Sequence, residues 1–367
     1  VISALLLVLC AQGEIPKFRE QLVDDQLDDL WACAVADVNS DGKPDLLALN
    51  WNPAYVVWYE HPTWKKHILI DKDVRELVAI QPIKIEGRTA FVLGAGYHEP
   101  PDPKKGGGEI YLLRPPDDSG KPWTPVKIAE IPTLHRIHPF NGRDLVCSAL
   151  HGPTVVLRRP ASPYSDPWTR ETVDPGLRAC HNTLSVDWDG DGKEEIVTAS
   201  AEGLTLHRRN DQGVWEKRTL SKGAPGCSEI AAGWLPGGRR YLATIEPHHG
   251  HEFCVYTLPD QPDQMWRRRV LLVNKGGHTV LPVDFNRSGV DSLLVGFVGQ
   301  YSNHPCGPVW HVFRPKDGRG EEWEDRVLDD TKMPGEDGTV ADLNGDGRPD
   351  LVIAGGKRIK IYWNEEK

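Results

Sequence analysis

The sequence predicts an all-β chain closed into a ring: a seven-bladed β-propeller whose last sheet takes its outer strand from the N-terminus. Three observations point there. First, Gly (36) and Pro (30) are abundant in 367 residues, yet hydrophobic residues still reach 39%. That balance suits many short strands separated by turns and disfavours helices, whose interiors tolerate neither residue. Second, one unit recurs along the chain: a β-rich run, a Pro or polar break, then a run led by Trp. Third, the Trp-led run missing at the C-terminus occurs instead at the N-terminus.

The first runs are 56–62, 110–115, 155–160, 204–209, 253–259, 309–315 and 359–363. The Trp-led runs begin at Trp64, Trp123, Trp168, Trp215, Trp266 and Trp323. Residues 18–24 repeat the Trp-led pattern with Phe18 in place of Trp. A ring explains the displacement, because the first segment then completes the last sheet and removes the open edges. Two further strands precede each pair, as at 31–38 and 45–49. The expected blades are 31–70, 75–131, 133–174, 178–222, 226–273, 276–329, and 335–363 with 16–24, all within one domain at 14–367.

Residues 2–10 form an apolar run too short to span a bilayer. They read as the remnant of a secretory signal, with Ala11 and Gly13 at the small-residue positions of a cut after Gly13. A lipid anchor at Cys10 is the competing reading, disfavoured by Leu9. The chain is thus expected to be exported, periplasmic or extracellular, with no membrane span. Cys33, Cys147, Cys180, Cys227, Cys254 and Cys306 remain, an even number that permits disulfides and equally permits buried thiols. Acidic residues outnumber basic ones 53 to 43, a net charge of −10, which argues against a nucleic-acid partner.

Three units carry the same acidic turn between their first and second strands. Its oxygen side chains are Asp37, Asn39, Asp41 and Asp45; then Asp187, Asp189, Asp191 and Glu195; then Asp342, Asn344, Asp346 and Asp350. A Gly sits at position six, and Lys43, Lys193 and Arg348 offer main-chain carbonyls at position seven. Oxygens at 1, 3, 5, 7 and 9 around a sharp bend are calcium chemistry, in a structural role. The alternative is an Asx-rich turn that caps itself without metal. A fourth copy, 284–291, is one residue short and has lost an acid.

These turns resemble those of the FG-GAP/VCBS repeat family of extracellular propellers, including the calcium loops of integrin heads. The resemblance covers most of the chain as architecture. Three units meet the signature and four depart from it, so it speaks to fold more than to activity.

Aligning the units on the first turn Asp gives a register. Trp31, Glu76, His135, His181, Glu229, His278 and Glu336 then occupy one repeat position and should ring the channel mouth opposite the acidic turns. The turns after the second strands add Trp51, Tyr97, His98, His151, His248, His249, His251, Tyr301 and His304 to the same face, and His138 lies nearby. Imidazoles and carboxylates gathered in a cleft can transfer protons near neutral pH or hold a divalent transition metal. A ring of hydrogen-bonded residues packing the channel is the plainer alternative.

Residues 134–140, 180–182 and the 187–195 turn are similar to the propeller part of aldos-2-ulose dehydratases, which act on keto-sugars such as anhydrofructose. That similarity implies a carbohydrate-active lyase working by acid–base elimination. His135, His138, His181 and His278 would be its acid–base or metal residues, oriented by Glu76, Glu229 and Glu336. Trp31, Trp51, Tyr97, His98, His151, His248, His251 and Tyr301 would bind the sugar or another small molecule, and Lys357 and Arg358 could hold an anionic group. The opposing expectation is a non-catalytic propeller that binds a glycan or a protein. A purely structural role is the third. No nucleophile elbow or phosphate loop points elsewhere, and the adjacency of Cys180, His181 and Asn182 is not catalytic geometry.

Overall fold

The computed structural model describes residues 14–98, 102–116, 121–221, 226–261, 264–274, 276–299 and 308–365. The segment expected to be a signal remnant, with Cys10, and Tyr301, His304 and Cys306 lie outside the described residues.

Seven four-stranded antiparallel sheets stand around one axis. The inner strands are Leu30–Ala36, Ala79–Ile85, Leu134–Phe140, Asn182–Val186, Ile230–Trp234, Gly277–Val283 and Asp337–Ala341. Each lies against the inner strands on either side, and that of blade 7 lies against that of blade 1. The remaining strands of each blade follow outward in chain order. Blade 7 is the exception: its outer strand is Phe18–Asp24, paired antiparallel with Arg358–Asn364, with Phe18 opposite Asn364. The chain therefore closes as a seven-bladed propeller, with a single turn of 3-10 helix at Pro103–Lys105 the one helical element among the described residues.

The repeat follows from how the blades stack. Second strands such as Asp45–Asn50, Glu195–Ser200 and Ser292–Phe297 are buried along their whole length, being covered on both faces. Outer strands such as Trp215–Thr219 are mostly exposed. The recurring Trp anchors each outer strand. Trp64 meets Trp363 of blade 7 at 6.4 Å between ring centroids, Trp215 meets Phe140 of blade 3 at 6.2 Å, Trp266 meets Trp188 of blade 4 at 5.5 Å, and Trp323 meets Tyr241 of blade 5 at 5.3 Å. A large ring wedged into the preceding blade is the interaction most able to hold a solvated edge strand.

Cys33, Cys147, Cys180, Cys227 and Cys254 are all buried free thiols. Of the two readings left open for these five, the structure has the buried thiols.

Candidate functional site

The inner strands all run the same way, so their first residues share one rim and the turns that follow them share the other. A local irregularity aims the mouth residues. In blades 1, 3 and 6 the pairing skips one residue, between Leu30 and Ala32, Leu134 and Arg136, and Gly277 and Thr279. The skipped residues are Trp31, His135 and His278. A bulge of this kind leaves one residue unpaired and turns its side chain off the sheet. His181 and Glu229 stand just before their inner strands, as does Glu336.

The result is a chain of rings around the mouth. Trp51 stacks on Trp31 at 4.9 Å, Trp31 meets Tyr97 at 5.6 Å, Tyr97 meets His135 edge-on at 5.6 Å, and His135 meets His181 at 4.0 Å. His181 then touches His249 at 4.7 Å and His278 at 5.6 Å, and His249 lies 4.9 Å from His278. His248 stacks on His249 at 4.4 Å. Four imidazoles from four blades thus share one spot.

Their nitrogens are ordered. Nδ1 of His135 faces the His181 carbonyl oxygen at 3.2 Å, and Nδ1 of His278 faces the Glu336 carbonyl at 2.7 Å. These bonds place the proton on Nδ1 and leave Nε2 as the free lone pair. Nδ1 of His181 is 2.9 Å from Glu229 Oε1, off the line of a hydrogen bond, and its Nε2 lies 2.7 Å from His249 Nε2. One nitrogen from each of His135, His181 and His249 falls within a 4.8 Å group. Imidazoles oriented by carbonyl and carboxylate partners through the remote nitrogen are the usual donor set for a transition metal.

Below this layer lies a polar layer. Glu229, 4% exposed, receives Asn182 Nδ2 at 2.6 Å and Arg136 Nη2 at 3.4 Å. His138 Nε2 reaches Asn182 Oδ1 at 2.7 Å. The Cys33 main-chain N–H donates to Asp337 Oδ2 at 2.8 Å. Arg136, His138, Asn182, Glu229, His278 and Asp337 line an axial cavity of about 570 Å³. The sequence register singled out neither Asp337 nor the roles of Arg136, Asn182 and His249. The first three each follow a ring residue by one position, which is the available signal: beside the rim residue, the next side chain faces the channel.

Burial sets the protonation. It drives His135 and His181 well below the usual imidazole range, and neighbouring imidazoles and Arg136 add to it. Burial and then Arg136 bring His278 down to about 4; burial and the adjacent His278 and His248 bring His249 to about 2. Burial also lowers His138, and His248, exposed at the rim on its outer side, is lowered by the desolvation of the ring it packs on His249 and His181. Burial alone would raise the Glu229 carboxyl, but Arg136, His278 and the Asn182 amide outweigh it and hold it below the ordinary range. Glu336 is pushed up to about 8 by burial and by Asp29, and Asp337 to about 6 by burial. Near neutral pH the mouth therefore holds neutral imidazoles, an ionised Glu229, a largely protonated Glu336 and an Asp337 that titrates just below neutrality, side by side.

Other mouth residues are more peripheral. Glu76 sits in the turn before its strand with φ 46° and pairs with His98, Oε2 to Nδ1 at 3.3 Å. Trp51 Nε1 donates to the Tyr97 carbonyl at 3.4 Å. His151, His248 and His251 are exposed. Arg358 donates to the carbonyls of Thr331 and Lys332.

On the far rim the three acidic turns fold alike. Asp37 accepts the Asp41 and Gly42 N–H groups at 3.0 Å each, Asn39 accepts Asp41, and Asp41 accepts Lys43. The other two turns differ in one partner: Asp187 accepts Gly190 and Gly192, Asp342 accepts Gly345 and Gly347, Asp189 and Asn344 accept the N–H groups of Asp191 and Asp346, and those last acids accept Lys193 and Arg348. The ninth residues are buried and staple the turn: Asp45 accepts Val38 and His61, Glu195 accepts Trp188, and Asp350 accepts Leu343 and Asn364. In blade 4, oxygens of Asp187, Asp189 and Glu195 converge within 4.8 Å, and the Arg208 guanidinium lies on Asp189 and 3.5 Å from Glu195.

No family model and no curated protein matches the chain. Solved propellers do. The BBS1N chain of a complex with ARL6DN is similar at a TM-score of 0.61 and 13% identity, covering 96% of this chain and 97% of that one. Sqt1 of Saccharomyces cerevisiae matches at 0.56 and 11%, covering 96% and 100%. Virginiamycin B lyase of Staphylococcus aureus matches at 0.58 and 10%, covering 94% and 98%. At such identities the likeness speaks to the fold alone. The class defined here is a seven-bladed β-propeller with an imidazole-lined mouth.

Proposed function

We propose that the mouth is the active site of a carbohydrate-active carbon–oxygen lyase, a dehydratase acting on a keto-sugar or a related sugar. The observation carrying this reading is the contact of four imidazoles from four blades beside an ionised Glu229 and a protonated Glu336. His249 and His278 keep part of their surface exposed, so they would touch substrate. His135 and His181 are sealed and would act through them. A neutral imidazole removes the proton from the carbon next to the carbonyl. That C–H electron pair forms the C=C bond, the C–O bond breaks toward oxygen, and a protonated group, Glu336 or an imidazolium, delivers a proton so that water leaves. Trp31, Trp51 and Tyr97 supply the apolar wall on which a sugar ring stacks, with His98, His151, His248 and His251 around it.

A divalent transition metal fits the His135, His181 and His249 donors, with His278 beside them, and would polarise the substrate carbonyl. The three acidic turns support kinship with FG-GAP/VCBS propellers and structural calcium. The apolar run at 2–10 supports export. One solved neighbour carries the name lyase, whereas another was solved in complex with a partner protein; the partly exposed Trp31–Trp51 pair would serve a non-catalytic glycan- or protein-binding propeller equally well.

The test is elemental analysis of the purified chain together with a screen of keto-sugars and uronate oligosaccharides, read by the ultraviolet absorbance of the new conjugated double bond. His278→Ala and His181→Ala are each expected to lower turnover by about 100-fold or more. Turnover unchanged in both variants would remove the imidazole layer from the chemistry, and glycan binding without turnover would favour the second reading.

A further inference from the structure

The far rim carries a second concave site, apart from the imidazole layer. Between blades 1, 2 and 3 a groove of about 310 Å³ is lined by Lys84, Thr89, Arg143, Arg159 and the carboxylates Asp37 and Asp144. The acids are already engaged. Asp37 accepts two N–H groups of its own turn, and Asp144 accepts the Arg159 N–H at 2.9 Å and Arg158 Nη1 at 2.8 Å. The cations are held differently. Arg143 donates through Nε and Nη2 to the Arg159 carbonyl at 3.3 and 2.8 Å, Arg159 donates through Nη1 to the Lys84 carbonyl at 2.6 Å, and Lys84 Nζ donates to Thr89 Oγ1 at 2.9 Å.

Among the described residues none of these three cations has a carboxylate within 4.0 Å. They are nevertheless chained together by main-chain carbonyls at fixed positions. Like charges held close without a paired acid are unfavourable: burial and the charge of Arg143 both weaken the hold of Arg159 on its proton, and the nearby Asp144 only partly opposes them. The guanidinium N–H groups that these carbonyls do not take, beside an ammonium, suit the oxygens of a carboxylate, sulfate or phosphate group. The groove's volume lies at the lower end of small-molecule sites.

We propose that this groove binds an oxyanion group carried on a molecule of about monosaccharide size. It shares Val35, Pro82 and Pro139 with the axial cavity, so its occupant lies beside the far end of the channel. The site is independent of the activity assigned to the mouth.

The test is calorimetric titration of the full chain at low ionic strength with glucuronate, glucose 6-phosphate and neutral glucose. At least one anionic sugar binds saturably while glucose does not, and the two anionic probes separate a carboxylate from a phosphate preference. Arg143→Gln raises Kd about tenfold or more, the loss of one charge-assisted contact. Lys84→Gln, whose ammonium donates to the Thr89 hydroxyl, gives a smaller rise without threatening the fold. His181→Ala titrates like the wild type. Absence of saturable binding by both anions, equal binding of glucose, or unchanged affinity in both groove variants overturns the proposal.

Discussion

At the mouth, hydrogen-bonded and nitrogen-to-nitrogen contacts join residues 44, 46, 47, 58 and 68 positions apart. In the acidic turn of blade 1, Asp37, Asn39 and Asp41 close on N–H groups two to five positions away. The turn is complete within one hairpin, whereas the mouth exists only when the ring is shut. Local polar side chains that satisfy neighbouring main-chain donors are doing what Asx residues do in any turn. Imidazoles from four blades, buried and largely uncharged, have no such local reason to meet. That difference is what the proposal of chemistry at the mouth rests on, and it gives the acidic turns a sufficient local reason of their own.

The comparison can be broken in several ways. The largest effect is expected from Glu229→Ala, which strands Arg136 without its buried partner. Removing one member of such a pair costs about 3–5 kcal/mol, read as a lower urea midpoint with unchanged slope. His207 provides an imidazole outside the mouth. It is 1% exposed, bonded to Thr198 Oγ1 at 3.1 Å, and brought to about 4 chiefly by burial. Folded, it stays neutral until about pH 4; unfolded, it takes its proton near 6.5. The stability it protects is therefore full above pH 6.5 and lost as pH falls through 4, about 3 kcal/mol in all. Urea unfolding across that window should show His207→Gln losing less on acidification than the wild type.

Calcium sharpens the far-rim side. At about 100 times Kd it should add about 2.7 kcal/mol per occupied turn, seen as a rise in Tm that Asp37→Ala reduces; no rise with calcium would leave the turns as self-capped bends. Asp45→Ala uncaps the buried N–H groups of Val38 and His61 and should cost about 2 kcal/mol by urea unfolding even in chelator. Asp41→Ala, exposed and bonded within its turn, should cost under about 0.5 kcal/mol in chelator. A larger loss there would mean the far rim, too, depends on the assembled ring.

The ring, its seven sheets and the closing strand were legible because each repeat states its own pattern: a buried run, a break and a wedge of Trp. The mouth was legible in outline, since counting back from the turn Asp finds Trp31, His181, His278 and Glu336. It was not legible in detail. The bulges that free Trp31, His135 and His278 leave no mark in a hydrophobic pattern, and the blade 2 strand begins at Ala79, which leaves Glu76 in the preceding turn. Arg136 was obscured for a related reason, because beside the His135 bulge two consecutive residues both serve the axis; Asp337 opens a regularly paired strand directly after Glu336, and nothing in the hydrophobic pattern marks it. His249 stood among the mouth residues by position, but its approach to His181 depends on the fold of the 247–251 turn.

The closing of blade 7 sets an order on biosynthesis. Phe18 finds Asn364 only after the ribosome has added everything between them, which at about 5–20 residues per second takes roughly 17–70 seconds. Through that interval Arg19, Glu20 and their neighbours wait without a partner, and whatever captures or clips that segment leaves a seventh sheet of three strands and a gap in the circle.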